Sequence, residues 1–387
     1  MHSSPMPKLN DIIEWISPFL IKPTSTSITL SISRRFFLFE LVRKAVAAIE
    51  DEPYLNFISL LKNYKVLGSF ITGTVREFHR DRNDLYFKNF FPEKELYDLI
   101  KKDLEWLSKD HGHIKVTITN RGVLIYDNYR KNQFNVLLFT IHSGTWIPEN
   151  LRKKMIYTPE QRCMEEDIGS HHLYSRLVLE KGGIWIDNKQ SRFACDFNRS
   201  WDKAIYHNNQ EAWAQGQLWN SYPSKKDIKD IQKGYNEFYF ALAQLTDSYR
   251  FNIIVDGHTM SDSADRPAIG IGTRYIPSFY LPIVRSMRKQ LIKIGYSPVE
   301  FDNPYSGGNI LQWLQQKAPD LFACLIEINK KIYMDAQRKQ VIPEKLEKLS
   351  KEITEIFDIG EEENLEPPKS PDVAPPSSSR STLPKSS

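Results

Sequence analysis

Two apolar runs in this chain lead into a histidine. "NVLLFTI" is followed by His142, Ser143 and Gly144, and "FNIIV" by Asp256, Gly257 and His258. The bland reading is that a loop begins there. The chemical reading is that a strand delivers ligands to a site at its carboxyl end. Residues i and i+2 share one face of an extended strand, so Asp256 and His258 would serve the same site. Two such strand ends point to imidazoles converging on an ion. Zn2+ is the natural candidate, since it takes imidazole and carboxylate ligands and keeps a position open for water in catalytic sites. Glu165, Glu166 and Asp167 in "MEEDIGSHHLYS" offer the carboxylate, although an acidic run before a helix also complements the helix dipole. His171 and His172 are rival ligands, but helical neighbours point about 100° apart and do not converge on one ion.

Four further stretches bear on a site. "SRFACDFNRS" combines Arg192, Asp196, Asn198 and Arg199, and its alternating apolar residues predict a strand. Guanidinium forks recognise carboxylates in bidentate fashion; the plainer reading is a surface ion pair of Arg192 with Asp187 or Asp196. Glu327 interrupts the apolar run of "ACLIEINKKIYMD". A buried carboxylate costs free energy unless it is paired or working, and a raised pKa would suit a general acid or base beside a metal-bound water. The alternative is an outward-facing Glu327 with Ile326 and Ile328 turned inward. "NPYSGGN" places Gly307 and Gly308 where backbone can approach a ligand closely. "IGIGTRY", with Arg274, lacks the GxGxxG spacing of a nucleotide site.

These residues need a rigid frame. From about residue 134 onward short apolar runs alternate with helical periodicity, the pattern of an α/β sheet, whose ligands bind at strand carboxyl ends. "HIKVTITNRGVLIYDN" alternates and breaks at Asn120, Arg121 and Gly122, a hairpin signal. Residues 1–111 read as a mainly helical N-terminal region, with apolar spacing of three and four in "FFLFELVRKAVAAIE", which Ser31 or Ser33 could cap, and in "EKELYDLIKKDLEWLSK". "YKVLGSFITGTVREFHRDR" between them is more β-like. Residues 112–358 form the α/β domain. Residues 359–387 read as a disordered tail: the last 27 residues hold 6 Pro and 7 Ser, too few apolar side chains to offset ordering entropy.

Bulk properties narrow the function classes. Lys and Arg number 52 against 48 Asp and Glu, and no basic block stands out, so nucleic acid is not an expected partner. Three scattered cysteines, Cys163, Cys195 and Cys324, make neither a CxxC pair nor a disulfide framework and fit a reduced, cytoplasmic setting. No run of eighteen apolar residues predicts a membrane span.

The ordered series "HSGTWIP", "DIGSHHL", "SRFACDFNRS", "DGHTM", "GIGTR", "GYSPVEFDNPYSGGNI" and "IEINKKIYMD" resembles the N-formylglutamate amidohydrolase family over roughly residues 134–336. The resemblance implies a three-layer α/β/α fold with a mixed central sheet, phosphorylase/hydrolase-like and related to zinc carboxypeptidases. It implies one Zn2+ or another divalent metal held by His142, Asp167 and His258, with Glu327 as general base and Arg192 polarising the scissile carbonyl. Asn198, Arg199, Arg274, Gly307 and Gly308 would bind the substrate, an N-acyl amino acid or short peptide whose amide bond is hydrolysed. The same metal site could instead serve a carboxypeptidase-like peptidase or a cell-wall amidase, or the fold could persist in a non-catalytic binding protein. The long segment before the first motif and the His171–His172 pair depart from a compact family member.

Overall fold

Eight segments rich in Val, Ile, Leu and Phe pair into one mixed sheet in the computed structural model of the chain, which describes residues 93–111, 114–119, 121–207 and 217–358. The strands are β1 (Lys115–Ile118), β2 (Val123–Asn128), β3 (Val136–Thr140), β4 (Gly183–Asn188), β5 (Ile253–Met260), β6 (Ile269–Gly272), β7 (Val299–Phe301) and β8 (Phe322–Asn329). The helices are α1 (Lys94–His111), α2 (Glu149–Arg152), α3 (Pro159–Arg162), α4 (Ser170–Lys181), α5 (Lys225–Ser248), α6 (Leu281–Ile294), α7 (Asn309–Lys317) and α8 (Pro343–Glu355). The strand order is β1-β2-β4-β3-β5-β8-β6-β7. β4, β3, β5 and β8 run parallel to one another, β1–β2, β2–β4 and β6–β8 pair antiparallel, and β6 and β7 pair parallel.

The central strands are buried on both faces, as parallel strands covered by helices must be. Val136 and Leu138 of β3 face one core with α1, α4, α6 and α8. Leu137 and Phe139 face a second core with α2, α5 and α7. This period of two, repeated in Ile253 and Val255 against Ile254, makes the three layers. The α/β/α expectation is met.

The connections fix where a ligand can sit. β3 leads through α4 to β4 on one side, whereas β5 leads to β6 and β8 on the other, so the chain reverses direction across the β3–β5 pair. Carboxyl ends of neighbouring strands whose connections diverge leave a crevice. His142 lies two residues beyond β3. His258 is not at the end of its strand: β5 continues to Met260 because β8 runs alongside it as far as Asn329. The predicted hairpin is present as β1–β2.

One expectation fails. "SRFACDFNRS" is not a strand but a chain of turns after β4. The Ser191 carbonyl accepts the Ala194 amide at 2.9 Å and an Asp196 carboxylate oxygen accepts the Asn198 amide at 2.9 Å, so the backbone satisfies itself locally. Phe193, Ala194, Cys195 and Phe197 all enter the α5/α7 core, which an alternating strand could not achieve. The helix expected over "EKELYDLIKKDLEWLSK" is α1. Although it lies before the expected boundary at residue 112, Leu96, Ile100, Leu104 and Leu107 pack into the first core. The helices expected further toward the N-terminus, the stretch expected to be β-like and the expected disordered tail lie outside the described residues.

Gly257 stands between Asp256 and His258 for a steric reason. A Cβ there would come within 2.6 Å of the Tyr174 ring, and the Tyr174 hydroxyl donates to the carbonyls of His258 and Ile326, each at 2.9 Å. Tyr174 therefore cannot retreat without leaving buried acceptors unpaired. Gly257→Ala is expected to cost about 1–3 kcal/mol through overpacking, read as a lower midpoint in urea with an unchanged slope.

Candidate metal centre

The carboxyl ends of β3 and β5 and the loop before α4 bring three donors together. His142, Asp167 and His258 each offer a ligand atom, and these atoms lie within 4.8 Å of one another. All three side chains are buried. The imidazole centroids are 4.7 Å apart with planes inclined at 62°. The Asp167 amide donates to the His142 carbonyl at 2.9 Å, which ties the two ligand-bearing loops together by backbone.

Behind each imidazole stands a carboxylate. His142 Nε2 contacts Asp196 Oδ1 at 2.7 Å, and His258 Nε2 contacts Asp256 Oδ1 at 2.8 Å. The i, i+2 relation of Asp256 and His258 thus makes a supporting pair on one strand face. His258 Nδ1 lies 2.9 Å from Asp167 Oδ2. His142 Nδ1 and Asp167 Oδ1 are buried and have no hydrogen-bond partner among the described residues. Buried polar atoms are seldom left so, and each calls for an explanation. A cation between the two Nδ1 atoms and Asp167 supplies one. Ligand imidazoles commonly present one nitrogen to a metal and give the other to a carboxylate. The donor set of two imidazoles and a carboxylate suits a divalent metal of the zinc type.

The electrostatics follow from burial. Burial opposes the charge on His258, but Asp256 and Asp167 outweigh it and hold the imidazole pKa well above its ordinary value. For His142 burial wins, helped by Arg192, and the pKa is lowered despite Asp196. Burial pushes the carboxyls of Asp167 and Asp196 upward, yet both remain lowered: His258 and His142 hold Asp167, and His142 and Arg192 hold Asp196.

Glu327 is buried in β8 directly beside His258 in register and on the same sheet face. Both faces of β8 are covered, so the outward-facing alternative for Glu327 does not hold. Burial raises its pKa to about 8, with His258 opposing the shift and Asp167 and Asp256 adding to it. Its Oε2 has no hydrogen-bond partner among the described residues. On the far side β6 offers Gly270 opposite Glu327, and a Cβ at Gly270 would lie 2.9 Å from the Asn303 carbonyl oxygen. The loop 303–308 therefore presses against the Glu327 side of the sheet.

The other residues singled out in the sequence take distinct places. Arg192 and Arg199 both turn to Asp196, at 3.1 and 3.5 Å, and Arg192 also donates to the Tyr206 hydroxyl and the Glu165 carbonyl. The Arg192–Asp196 pair is buried at the centre rather than on the surface. Asn198 donates its side-chain amide to Asp256 at 2.9 Å, with the same nitrogen 3.1 Å from His258 Nε2, and its side-chain carbonyl oxygen accepts the Ile310 amide at 3.0 Å. Gly308 lies flat against Asn198, where a Cβ would stand 2.2 Å from its carbonyl oxygen. Gly307 packs against Tyr275, and Arg274 is exposed with its guanidinium 5.7 Å from the Tyr275 ring. Glu166 faces away from the centre, paired with Arg162 at 2.9 Å and accepting from Ser191. His171 and His172 face α1, the former 3.7 Å from Asp103 and the latter edge-on to Trp106.

Several residues that shape the centre were not expected from the sequence. Tyr206 donates to Asp196. Lys330, fully buried, donates from one ammonium to the carbonyls of Cys163, Met164 and Glu166 at 2.6–2.9 Å, and so holds the loop that ends in Asp167. Burial lowers its pKa even against Asp167 and Glu165. A lysine in "INKKI" looks like a surface residue, and nothing in its spacing distinguishes it.

The sequence model described as N-formylglutamate amidohydrolase matches residues 134–334, just over half of the chain. No curated protein matches. Among solved structures, an N-formylglutamate amidohydrolase from Ralstonia eutropha JMP134 is similar at 17% identity and a TM-score of 0.52, with 62% of this chain and 98% of that one covered. The gene product Atu2144 of Agrobacterium tumefaciens is similar at 15% identity and a TM-score of 0.48, over 64% of this chain and 97% of that one. The motifs that line the crevice between β3 and β5, from His142 to Glu327, all fall inside the matched segment: the chain belongs to the N-formylglutamate amidohydrolase family.

Proposed function

We propose that the chain is a metal-dependent amidohydrolase that cleaves the amide bond of an N-acyl amino acid, with His142, Asp167 and His258 as metal ligands. The observation that carries this reading is the pair of buried atoms without hydrogen-bond partners, His142 Nδ1 and Asp167 Oδ1, on residues that cluster with His258, with both imidazole Nε2 atoms already held by carboxylates. A bound divalent cation such as Zn2+ lowers the pKa of water to roughly 7 and polarises a carbonyl oxygen.

The protein's own groups supply the rest. Glu327 Oε2 takes a proton from the attacking water and passes it to the departing amine nitrogen. Burial favours the neutral acid, so the proton is held between the two transfers rather than lost to solvent. Arg192 keeps Asp196 ionised and so keeps His142 oriented, and its guanidinium is a fixed positive group available to a developing oxyanion. One such donor is worth about 3–4 kcal/mol to a transition state. Arg199 and Arg274 add positive charge at the rim for a substrate carboxylate, and the Gly307–Gly308 loop forms the wall beside Glu327. Asn198 contributes by holding His258 and Asp256 in place. In this reading residues 112–358 are the catalytic domain.

The purified full-length protein is expected to contain about one zinc per chain, and His258→Ala to lose it, as read by elemental analysis. Absence of any divalent metal in the wild type, with no uptake from added zinc, would favour a binding protein that retains the fold. Glu327→Gln is expected to keep the metal and lower hydrolysis of N-acyl amino acids by about 10²–10⁴-fold; undiminished turnover would remove Glu327 from the chemistry.

A further inference from the structure

We propose that helix α1 acts as a clamp on the turn that carries His142, so that residues outside the family-matched segment position a ligand of the centre. The metal role of His142 rests on the reading above; the clamp itself does not.

α1 grips this turn at both ends. Just before the helix, Glu93 accepts hydrogen bonds from the Trp146 indole at 3.3 Å and the Glu149 amide at 3.0 Å, downstream of His142. Upstream the grip passes through buried charges. Asp103 of α1 pairs with Lys189, and Lys189 pairs in turn with Asp187 of β4. Asp187 accepts hydrogen bonds from the hydroxyls of Thr140 and Ser143, the residues that bracket Ile141 and His142. All three charged side chains are buried: Asp103 is 6% exposed, Lys189 4% and Asp187 0%.

The backbone reinforces the connection. The Lys189 carbonyl accepts the Trp146 amide at 2.9 Å. Gly144 lies so close to Lys189 that a Cβ would stand 2.2 Å from its carbonyl carbon. The turn is therefore seated on Lys189, and the position of Lys189 is set by carboxylates on either side. Burial disfavours the ammonium, but Asp103 and Asp187 together hold its pKa above the ordinary range.

The division of labour at Asp187 makes Asp103 a positioning residue. Asp187 shares its oxygens between the ammonium and two hydroxyls. Without Asp103, Lys189 keeps a single counter-charge and draws Asp187 away from Thr140 and Ser143. A helix that merely filled space would act only through its apolar face, Leu96, Ile100, Leu104 and Leu107. Comparing the two kinds of contact separates the roles.

The test uses the full chain with Asp103→Asn, Asp103→Glu and Leu107→Ala. Hydrogen exchange is followed in the segment 141–147, and Co2+ is titrated with its visible spectrum as the signature of ligation. Asp103→Asn is expected to speed exchange in this segment and weaken Co2+ binding about tenfold, the lower end of the effect of removing an outer support. Leu107→Ala, at matched global stability, leaves both readings near wild type, and Asp103→Glu recovers part of the loss. Equal exchange in the Asn and Ala variants overturns the clamp, and so does faster exchange in Asp103→Asn with wild-type Co2+ affinity and spectrum. If Asp103→Asn does not fold, Asp103→Glu against Leu107→Ala decides by the same criterion. A wild type that takes up no Co2+ sinks the metal reading, while exchange still decides the clamp.

Discussion

The constraint on which the site depends is the cost of burying carboxylates. Asp167, Asp196, Asp256 and Glu327 all lie out of solvent at the β3–β5–β8 end of the sheet. Moving one carboxylate from water into a protein interior costs several kcal/mol after relaxation, unless a positive group and hydrogen bonds meet it. Each of the three aspartates here is met. Asp196 has His142, Arg192 and Arg199; Asp256 has His258 and the Asn198 amide; Asp167 has His258. Glu327 alone lacks a bonded cation. Burial raises its pKa to about 8. Positive groups and hydrogen bonds thus meet three of the carboxylates, and the fourth has no charged partner bonded to it. That distribution suits the proposed hydrolysis, in which Glu327 carries the proton.

The layering of the fold serves that distribution. Parallel strands β3, β5 and β8 lie side by side at the centre of the sheet, so residues at matching heights face one another across about 5 Å. His258 and Glu327 are register partners for that reason. Strand parity does the rest: Asp256, His258 and Glu327 share the face of Ile254 and Leu325, under α5 and α7, while Gly257 and Ile326 face α4. Moving β8 by one residue would bury Ile326 or Ile328 at the site and send the carboxylate into the opposite core. The Tyr174 hydroxyl, bonded to carbonyls of both β5 and β8, ties this register to the layer below.

The part of the site legible in the sequence is the part that lies on strands or just beyond one. His142, Asp256, His258 and Glu327 stand out because polar groups interrupt or terminate apolar runs that have no other reason to contain them. Asp167 is a different case. Three acidic residues in succession offered three candidates, and only the tertiary structure turns Asp167 inward while Glu166 pairs with Arg162 and Ser191. The segment 191–200 misleads because Phe193, Cys195 and Phe197 alternate as a strand would. Their burial comes instead from turns that Asp196 and Ser191 stabilise locally. Lys330 and Lys189 carry no local signal at all. Each is a lysine in an ordinary context, and its importance arises from acceptors remote in sequence: three carbonyls for Lys330, and Asp103 in addition to the nearby Asp187 for Lys189.

The two buried lysines show how such a centre can be held rigid by its surroundings. An ammonium has three donors in a roughly tetrahedral spread and can collect acceptors from loops that share no secondary structure. Lys330 collects three carbonyls from the loop before Asp167, and Lys189 collects a carboxylate on each side of the turn that carries His142. Both of the loops that carry the proposed ligands preceding β5 are thereby fixed by lysines, while the third, His258, sits inside a strand and has the sheet itself for support. Loop ligands need external anchors because their backbone lacks a ladder to resist displacement, and orienting two imidazoles and a carboxylate leaves little tolerance for movement. The anchors differ in one respect. Lys330 gathers uncharged carbonyls and is self-contained within the family-matched segment, whereas Lys189 requires a second carboxylate, Asp103, from a helix that precedes that segment. The charge balance of the turn at His142 therefore extends beyond the sheet domain into α1.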